Sequence, residues 1–473
     1  MACLLILAAC GGAPFSDGGE PELEVVEGVD GPSMPLIAVG DVLLAAPTPE
    51  ESGVDGITAA LHRSDDRGRT WEPVGLPGAP THLEVQLSHL PGPGLAVVTG
   101  REVVESLDMQ VPGGGTYVWT SADGHAWHGG PLVTDAPPFV DVVVQAPDGD
   151  DGVLVAGVAV GGDLVEVPSR YTLHRSDDGG ATWTPAEVRT DLTVAAGGRM
   201  ELLDTWTTGD GRLVADLGLG PLIAGTGPGG DDDTVGPGGA GSPPPTVIAT
   251  GGTASTLPSP PPLLPVGVQA VLASDDGGQT WSLAPCPPEA VEPDGGSCSR
   301  PDTYGELLIR YTDVSVDGGR SWARPTIEGE PVTDEFSFRH VVELDGGGWL
   351  ATADDDNDET IEGYLLRSDD GRTWDDVMPA AEVPCDVTLD STGFIGPVPF
   401  GDGWLVAHHC SDFHDPVRTE AFTLDADGTN PTAVPGSHRD QARYDTLTLV
   451  DGTATLLTTN TDGSTDLVLI APG

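Results

Sequence analysis

The densest group of metal-ligand types in the sequence is Ala407-His408-His409-Cys410-Ser411-Asp412-Phe413-His414-Asp415. Imidazole, thiolate and carboxylate together suit a zinc-class ion. Adjacent residues on a strand point to opposite faces, however, so His408 and His409 cannot easily line one site. A His-rich loop after a strand is the better reading. A second run, Asp354-Asp355-Asp356-Asn357-Asp358-Glu359, offers alternating carboxylates to calcium. It lacks the Gly and the terminal Glu spacing of an EF-hand loop. Like Asp231-Asp232-Asp233, it reads as a solvated turn. The sequence therefore assigns no metal and no cofactor, with calcium as the one alternative. Four cysteines lie beyond the N-terminal segment: Cys286, Cys298, Cys385 and Cys410. Their even number suits two disulfides in an exported chain. Nearest-neighbour pairing gives Cys286–Cys298 and Cys385–Cys410, as one of three pairings. No pair has CxxC spacing, which weakens a zinc site. There is no GxSxG, phosphate loop, HExxH or Ser/His/Asp set, and no catalytic residue is assigned.

A different constellation recurs along the chain. It comprises Ser64, Asp66, Gly68 and Trp71 in SDDRGRTW; Ser121, Asp123, Gly124 and Trp127 in SADGHAW; and Ser176, Asp178, Gly180 and Trp183 in SDDGGATW. It continues with Ser274, Asp276, Gly278 and Trp281 in SDDGGQTW; Ser315, Asp317, Gly319 and Trp322 in SVDGGRSW; and Ser368, Asp370, Gly371 and Trp374 in SDDGRTW. Successive Ser positions lie 57, 55, 98, 41 and 53 residues apart. A period of that size is the mark of a repeat architecture. The residue types suit a hairpin turn. Ser and Asp oxygens accept bonds from free backbone N–H groups, Gly supplies a positive φ, and Trp wedges between sheets with its indole N–H bonded. None of these groups is posed as a nucleophile or proton donor.

The elements that must position these turns are short β-like runs. ITAALHR, GTYVWT, RYTLHR, VQAVLA, LLIRYTDV and GYLLR precede the six copies. The pattern of two runs, a turn hairpin and a last run predicts an all-β fold of the β-propeller type. Counting gives seven blades, with eight as the alternative if the stunted unit around Ser315 is a blade. Leu424-Asp425-Ala426-Asp427-Gly428 is a relic of the turn without its Trp. The last unit, DTLTLV, TATLLTT and DLVLIA, lacks a fourth strand, which ELEVVE at Glu22–Glu27 could supply. The spacing of 98 holds a Gly/Pro-rich insert at about 225–265 that cannot build a core. It falls inside one blade, between RLVADLG and VQAVLAS.

Composition bounds the partners. Asp plus Glu number 75 against 19 Lys plus Arg, a net charge of -56, and every basic residue is Arg. With no basic stripe, nucleic acid is excluded, and anionic polysaccharides and anionic lipid head groups would be repelled. The N-terminus, MACLLILAACGG, carries Leu7-Ala8-Ala9-Cys10, which resembles a bacterial lipobox. That resemblance implies a signal segment at 1–10, lipidation of Cys10, an acidic tether at 11–33 and a propeller at 34–473. The expected location is the outer membrane or cell surface, with the membrane met through the lipid anchor alone.

The repeated S-x-D-x-G-x-T-W copies resemble the Asp-box or BNR repeat of sialidases, sortilin-type receptors and propeller-type photosystem II assembly factors. The resemblance implies a sialidase-like propeller fold and leaves the chemistry open. Sialidases use three arginines for the substrate carboxylate, a Tyr nucleophile paired with Glu, an Asp acid/base and an early Arg-Ile-Pro. Here the matching region reads PSMPLIAVG, without Arg. The pairs Arg170-Tyr171, Arg310-Tyr311 and Arg443-Tyr444 do not assemble into a triad. The expectation is a non-catalytic envelope lipoprotein that binds a protein or carbohydrate. A sialidase-type glycan hydrolase and an assembly factor are the alternatives. Convergence of Arg with a Tyr/Glu pair separates the first two.

Overall fold

The computed structural model describes residues 21–26, 36–46, 61–80, 83–90, 94–106, 109–136, 140–147, 153–160, 169–189, 193–194, 198–208, 211–221, 270–286, 300–357, 360–378, 391–412, 415–440, 442–460 and 465–473. Cys10, Cys298, Cys385, Asp231-Asp232-Asp233, Asp358-Glu359 and the insert lie outside the described residues, as does all of 11–33 except 21–26. The described residues contain strands and turns and no helix, so none is long and apolar enough to cross a membrane.

Two compact units are distinguished. The second contains three sheets. Blade two is Leu83–Leu90, Leu95–Ser106, Met109–Ser121 and His128–Ala136. Blade three is Val140–Gln145, Leu154–Val160, Ser169–Ser176 and Thr184–Pro185. Blade four is Gly198–Thr207, Leu213–Pro221, Ala270–Ser274 and Thr280–Leu283. Leu213 pairs with Ser274 and Leu217 with Ala270, so the insert is flanked by two partners in one antiparallel ladder. The core of this unit lies between successive sheets. Leu90, Val97 and Val118 pack on Val142, Leu154 and Ala156; Val155 and Leu173 pack on Leu202, Leu217 and Trp281.

The first unit contains five blades, of which blades six and seven join in one sheet where Ile361 pairs with Ser391. Blade one is Leu36–Val39, Val42–Ala45 and His62–Ser64 with Glu72–Pro73 at its edge. Blade six is Phe336–Glu343, Trp349–Asn357, Thr360–Ser368 and Thr373–Asp376; blade seven is Ser391–Phe400, Gly403–Asp412, Asp415–Leu424 and Thr432–Ala433. Blade eight is Ala442–Val450, Thr453–Asn460, Thr465–Ala471 and, at its edge, Glu22–Val26. The N-terminal strand runs antiparallel to the C-terminal one, Glu22 opposite Ala471 and Val26 opposite Leu467. The stretch read as tether thus includes the closing strand that ELEVVE was expected to supply.

Blade five settles the count. It is Asp302–Tyr304, Leu307–Arg310 and Asp313–Ser315, its fourth strand reduced to the bridge between Val314 and Ala323. The fold is therefore an all-β, eight-bladed β-propeller, and the preferred count of seven is corrected to eight. Runs of three or four residues carry too few alternations to register as strands in a sequence. Leu307, Ile309 and Val314 are nonetheless buried against blade six, at Phe336, Val341 and Leu366. Central strands such as Val42–Ala45 are buried at every position, and Leu43 and Ala45 pack on Val450, Leu457 and Leu467 of blade eight.

Candidate functional site

The six turns share one bonding scheme. In the copy at Ser176, Ser176 Oγ donates to Asp178 Oδ1 at 2.8 Å and accepts from the Gly180 N–H at 2.8 Å. Asp178 accepts from the Thr182 N–H at 2.8 Å and from the Thr182 hydroxyl at 2.7 Å. The copies at Ser64, Ser274 and Ser315 repeat these bonds, with Ser321 standing for Thr in the last. In the shorter copy at Ser368, Gly371 takes the N–H role, and Asp370 accepts from the Arg372 and Thr373 N–H groups. In the other short copy, Asp123 accepts from Ser121 and from the His125 and Ala126 N–H groups. The bonds to Thr182 and Ser176 hold the Asp178 carboxyl below the usual carboxylate range; those to Thr280 and Ser321 do the same for Asp276 and Asp317.

The indole N–H groups of Trp127, Trp281, Trp322 and Trp374 donate to the carbonyls of Gly124, Gly278, Gly319 and Gly371. Those of Trp71 and Trp183 meet no acceptor among the described residues. The relic at Leu424 keeps part of the scheme, without Ser or Trp. Asp427 accepts from the Thr429 N–H and hydroxyl, Gly428 has φ +75°, and Leu424 fills the buried Ser position.

Arginines reinforce the turns. Arg63 pairs with Asp65, Arg175 with Asp177 and Arg367 with Asp369, each two residues on, where the strand passes into the turn. Arg212 reaches Asp275 at 2.9 Å from the neighbouring strand. The Arg-Ser-Asp triplets are visible in the sequence and carry this information.

The Arg-Tyr pairs do not converge among the described residues. Arg310 is buried with its guanidinium 4.5 Å from the Trp322 ring, while Tyr311 is 64% exposed in a tight turn at φ +52°. Tyr444 is buried, donates to the Ser437 carbonyl at 2.6 Å, and is pushed up to about 12 by burial. The side chains of Arg170, Tyr171 and Arg443 lie outside the described residues.

A Tyr/Glu pair exists elsewhere, on blade six. Tyr364 donates its phenol proton to Glu362 Oε2 at 2.9 Å. Glu362 lies opposite Asp355, and Asp355 opposite Phe336, so the three form one row on one face. Thr333 donates to Asp355 at 2.6 Å, so each carboxylate of the row has a hydroxyl partner. Phe336 packs edge-on to Phe338 at 5.1 Å, and Tyr364 lies 6.3 Å from Phe336. Burial and then the Glu362 bond raise the Tyr364 phenol well above its ordinary value. A phenol held that way is a hydrogen-bond donor and a poor nucleophile. Arg339 of the same blade pairs with Asp354 at 2.6 Å, and Asp354 opposes Gly363, on the other face of the sheet. Sequence reasoning looked beside arginines and missed this cluster. Its signal was the i, i+2 spacing of Glu362 and Tyr364 across a hairpin from Asp355.

His408 and His409 take opposite faces. His408 is buried 4.7 Å from the Phe394 ring, with Cys410 Sγ 3.9 Å from its Nδ1. His409 covers Gly393, where an added Cβ would lie 2.5 Å from its ring. Phe413 and His414 lie outside the described residues, and among those described no group of three or more His, Cys, Asp or Glu could hold a metal ion.

Residues 272–283 match the BNR/Asp-box repeat model. No curated protein matches the chain. Similar solved structures include a protein of unknown function from Dyadobacter fermentans DSM 18053, at 13% identity over 95% of this chain and 99% of that one, TM-score 0.31. A PL25 ulvan lyase bound to -[GlcA(1-4)Rha3S]- is similar at 11% identity, covering 95% and 93%, TM-score 0.37. A Trypanosoma rangeli sialidase with 2,3-difluorosialic acid is similar at 12% identity, covering 85% and 55%, TM-score 0.27. No residue role is transferred from any of them. The chain is thus an all-β propeller whose blades carry six Ser-Asp-Gly turns among the described residues, one of which, at 272–283, matches the BNR/Asp-box repeat model.

Proposed function

We propose that the protein is a non-catalytic binding lipoprotein of the cell envelope, anchored through Cys10, whose contact surface is the Asp355–Glu362–Tyr364 cluster of blade six. The observation that carries this reading is the state of Tyr364: its proton is donated to Glu362, its phenol is raised, and Arg339 of the same blade is paired with Asp354 on the other face. Such a site has acceptors and aromatic rings for binding and lacks an activated nucleophile. With a net charge of -56, the ligand is neutral or cationic, a hydroxyl-rich glycan or a basic protein segment. The same reading pairs Cys286 with Cys298 and Cys385 with Cys410, as suits an exported chain.

Binding to immobilised neutral polysaccharide and to a lysine-rich peptide tests the site. The double variant Asp355→Asn, Glu362→Gln should lose at least tenfold in affinity for whichever binds, with its melting temperature kept. Equal binding by the variant would remove the cluster from the function. Metabolic labelling with a radioactive fatty acid, lost in Cys10→Ala, tests the anchor. A glycan hydrolase of the sialidase type is the second reading, favoured by the 2.9 Å Tyr364–Glu362 bond. It requires release of aryl sialoside by the wild type, abolished in Tyr364→Phe.

A further inference from the structure

The closing strand of blade eight is lightly seated. None of its five residues is buried: Glu22 and Glu24 are exposed, and Leu23, Val25 and Val26 are half-buried. The strand it covers, Thr465–Ala471, is buried at five of its seven positions. The outer strand of blade six, in contrast, is pinned by the fully buried Trp374. Besides the ladder, the strand is held by Leu23 and Val26, which pack half-buried at the margins of the neighbouring cores, and by an exposed ion pair in which Arg69 of the blade-one turn donates to both oxygens of Glu24. Residues 27–35 join the strand to Leu36 and contain Gly28, Gly31, Pro32 and Pro35. Such a length spans roughly 30 Å when extended.

We propose that Glu22–Val26 is an exchangeable strand, and that the edge of Thr465–Ala471 accepts the same strand from a second copy of this chain. A vacated apolar edge is a template for pairing. A second copy is the natural occupant, because its strand repeats every ladder bond and side-chain contact of the original seat. Exchange through a joining loop of this reach is a low-cost route to a dimer. Charge sets the conditions. The net of -56 keeps copies apart in dilute buffer, where the Arg69–Glu24 pair also keeps the strand at home. Salt screens both effects, so exchange increases with ionic strength.

Leu23 and Ile470 face each other in the ladder. Full-length Leu23→Cys and Ile470→Cys variants, each carrying one partner, are mixed at about 0.01 M and about 1 M salt and then oxidised. The expected product is a heterodimer whose proteolytic map joins position 23 to position 470, at least tenfold more abundant in high salt. Arg69→Ala should raise its yield in low salt several-fold. A 23–470 link no more frequent than one between Leu23→Cys and Asp402→Cys overturns the proposal. Light scattering on the wild type covers failure of the variants to fold: a dimer is expected in high salt, and a monomer at both salt levels also overturns it. A dimer whose map lacks the 23–470 link means another face mediates association, and equally overturns it.

Discussion

Gly180 has φ +91°, and a Cβ there would lie 2.4 Å from Thr120 Cγ2 on blade two. The neighbouring carbonyl of Gly179 accepts the Thr120 hydroxyl at 2.5 Å. Both the backbone conformation and the contact oppose a side chain, so Gly180→Ala should destabilise by roughly 2 kcal/mol or more. Gly179, also at positive φ, has open space around it, and Gly179→Ala should cost less. Urea midpoints of the two variants decide this. His408 gives a pH signature. Burial, then the charges of His409 and Arg418, push it down to about 3, against about 6.5 in an unfolded chain. The unfolded chain therefore takes up the proton first. The stability this buried neutral ring contributes is whole above about pH 6.5 and drains as pH falls towards about 3. His174, pushed down to about 4 by burial, acts in the same window. Melting temperature should fall less steeply between about pH 6 and pH 4 in His408→Asn than in the wild type; an unchanged slope would remove His408 from the acid response.

At the scale of the element, each turn hairpin is a wedge whose strength follows the burial of its Trp. Trp281 is 1% exposed and bonded to Gly278, so Trp281→Ala should cost about 3–5 kcal/mol. Trp322 is only half-buried on the shortest blade, and Trp322→Ala should cost distinctly less. Chemical denaturation of the two variants ranks them. Hairpins of this kind were legible in the sequence because Ser, Asp, Gly and Trp each do a local task at fixed spacing. The relic at Leu424 was legible for the same reason, since Asp427, Gly428 and Thr429 retain their turn chemistry. Blade five was harder to read, because its burial depends on Phe336 and Val341, which follow it in the chain. The Tyr364–Glu362–Asp355 row was not read at all. Its members are assembled by the register of a long hairpin, and register is a relation between strands that no local motif states.

For the whole molecule, the excess of carboxylates makes compactness costly in dilute buffer. The Debye length falls from about 30 Å at 0.01 M salt to about 8 Å at 0.15 M, which spares a net charge of -56 much of its self-repulsion. Melting temperature should rise by several degrees across that range. A fall would mean that ion pairs such as Arg67–Asp451 outweigh the repulsion. Acid acts in two stages with different owners. Histidine burial weakens the fold below about pH 6.5, and the turn carboxylates follow. Asp178, Asp276 and Asp317 have folded values below the unfolded one, so their contribution is present above about pH 4 and is lost as pH falls through the folded values.

The ladder between Leu213–Pro221 and Ala270–Ser274 accommodates residues 222–269 at its open end while Leu213 still meets Ser274. Loop-closure entropy grows only with the logarithm of length, about 0.6 kcal/mol for each doubling. This hairpin is therefore a port at which sequence can be spliced in or out at little cost. Replacing 222–269 by a short Asn-Gly turn should stabilise the chain by on the order of 2 kcal/mol, and a folded cargo of similar length grafted there should be displayed with the propeller intact.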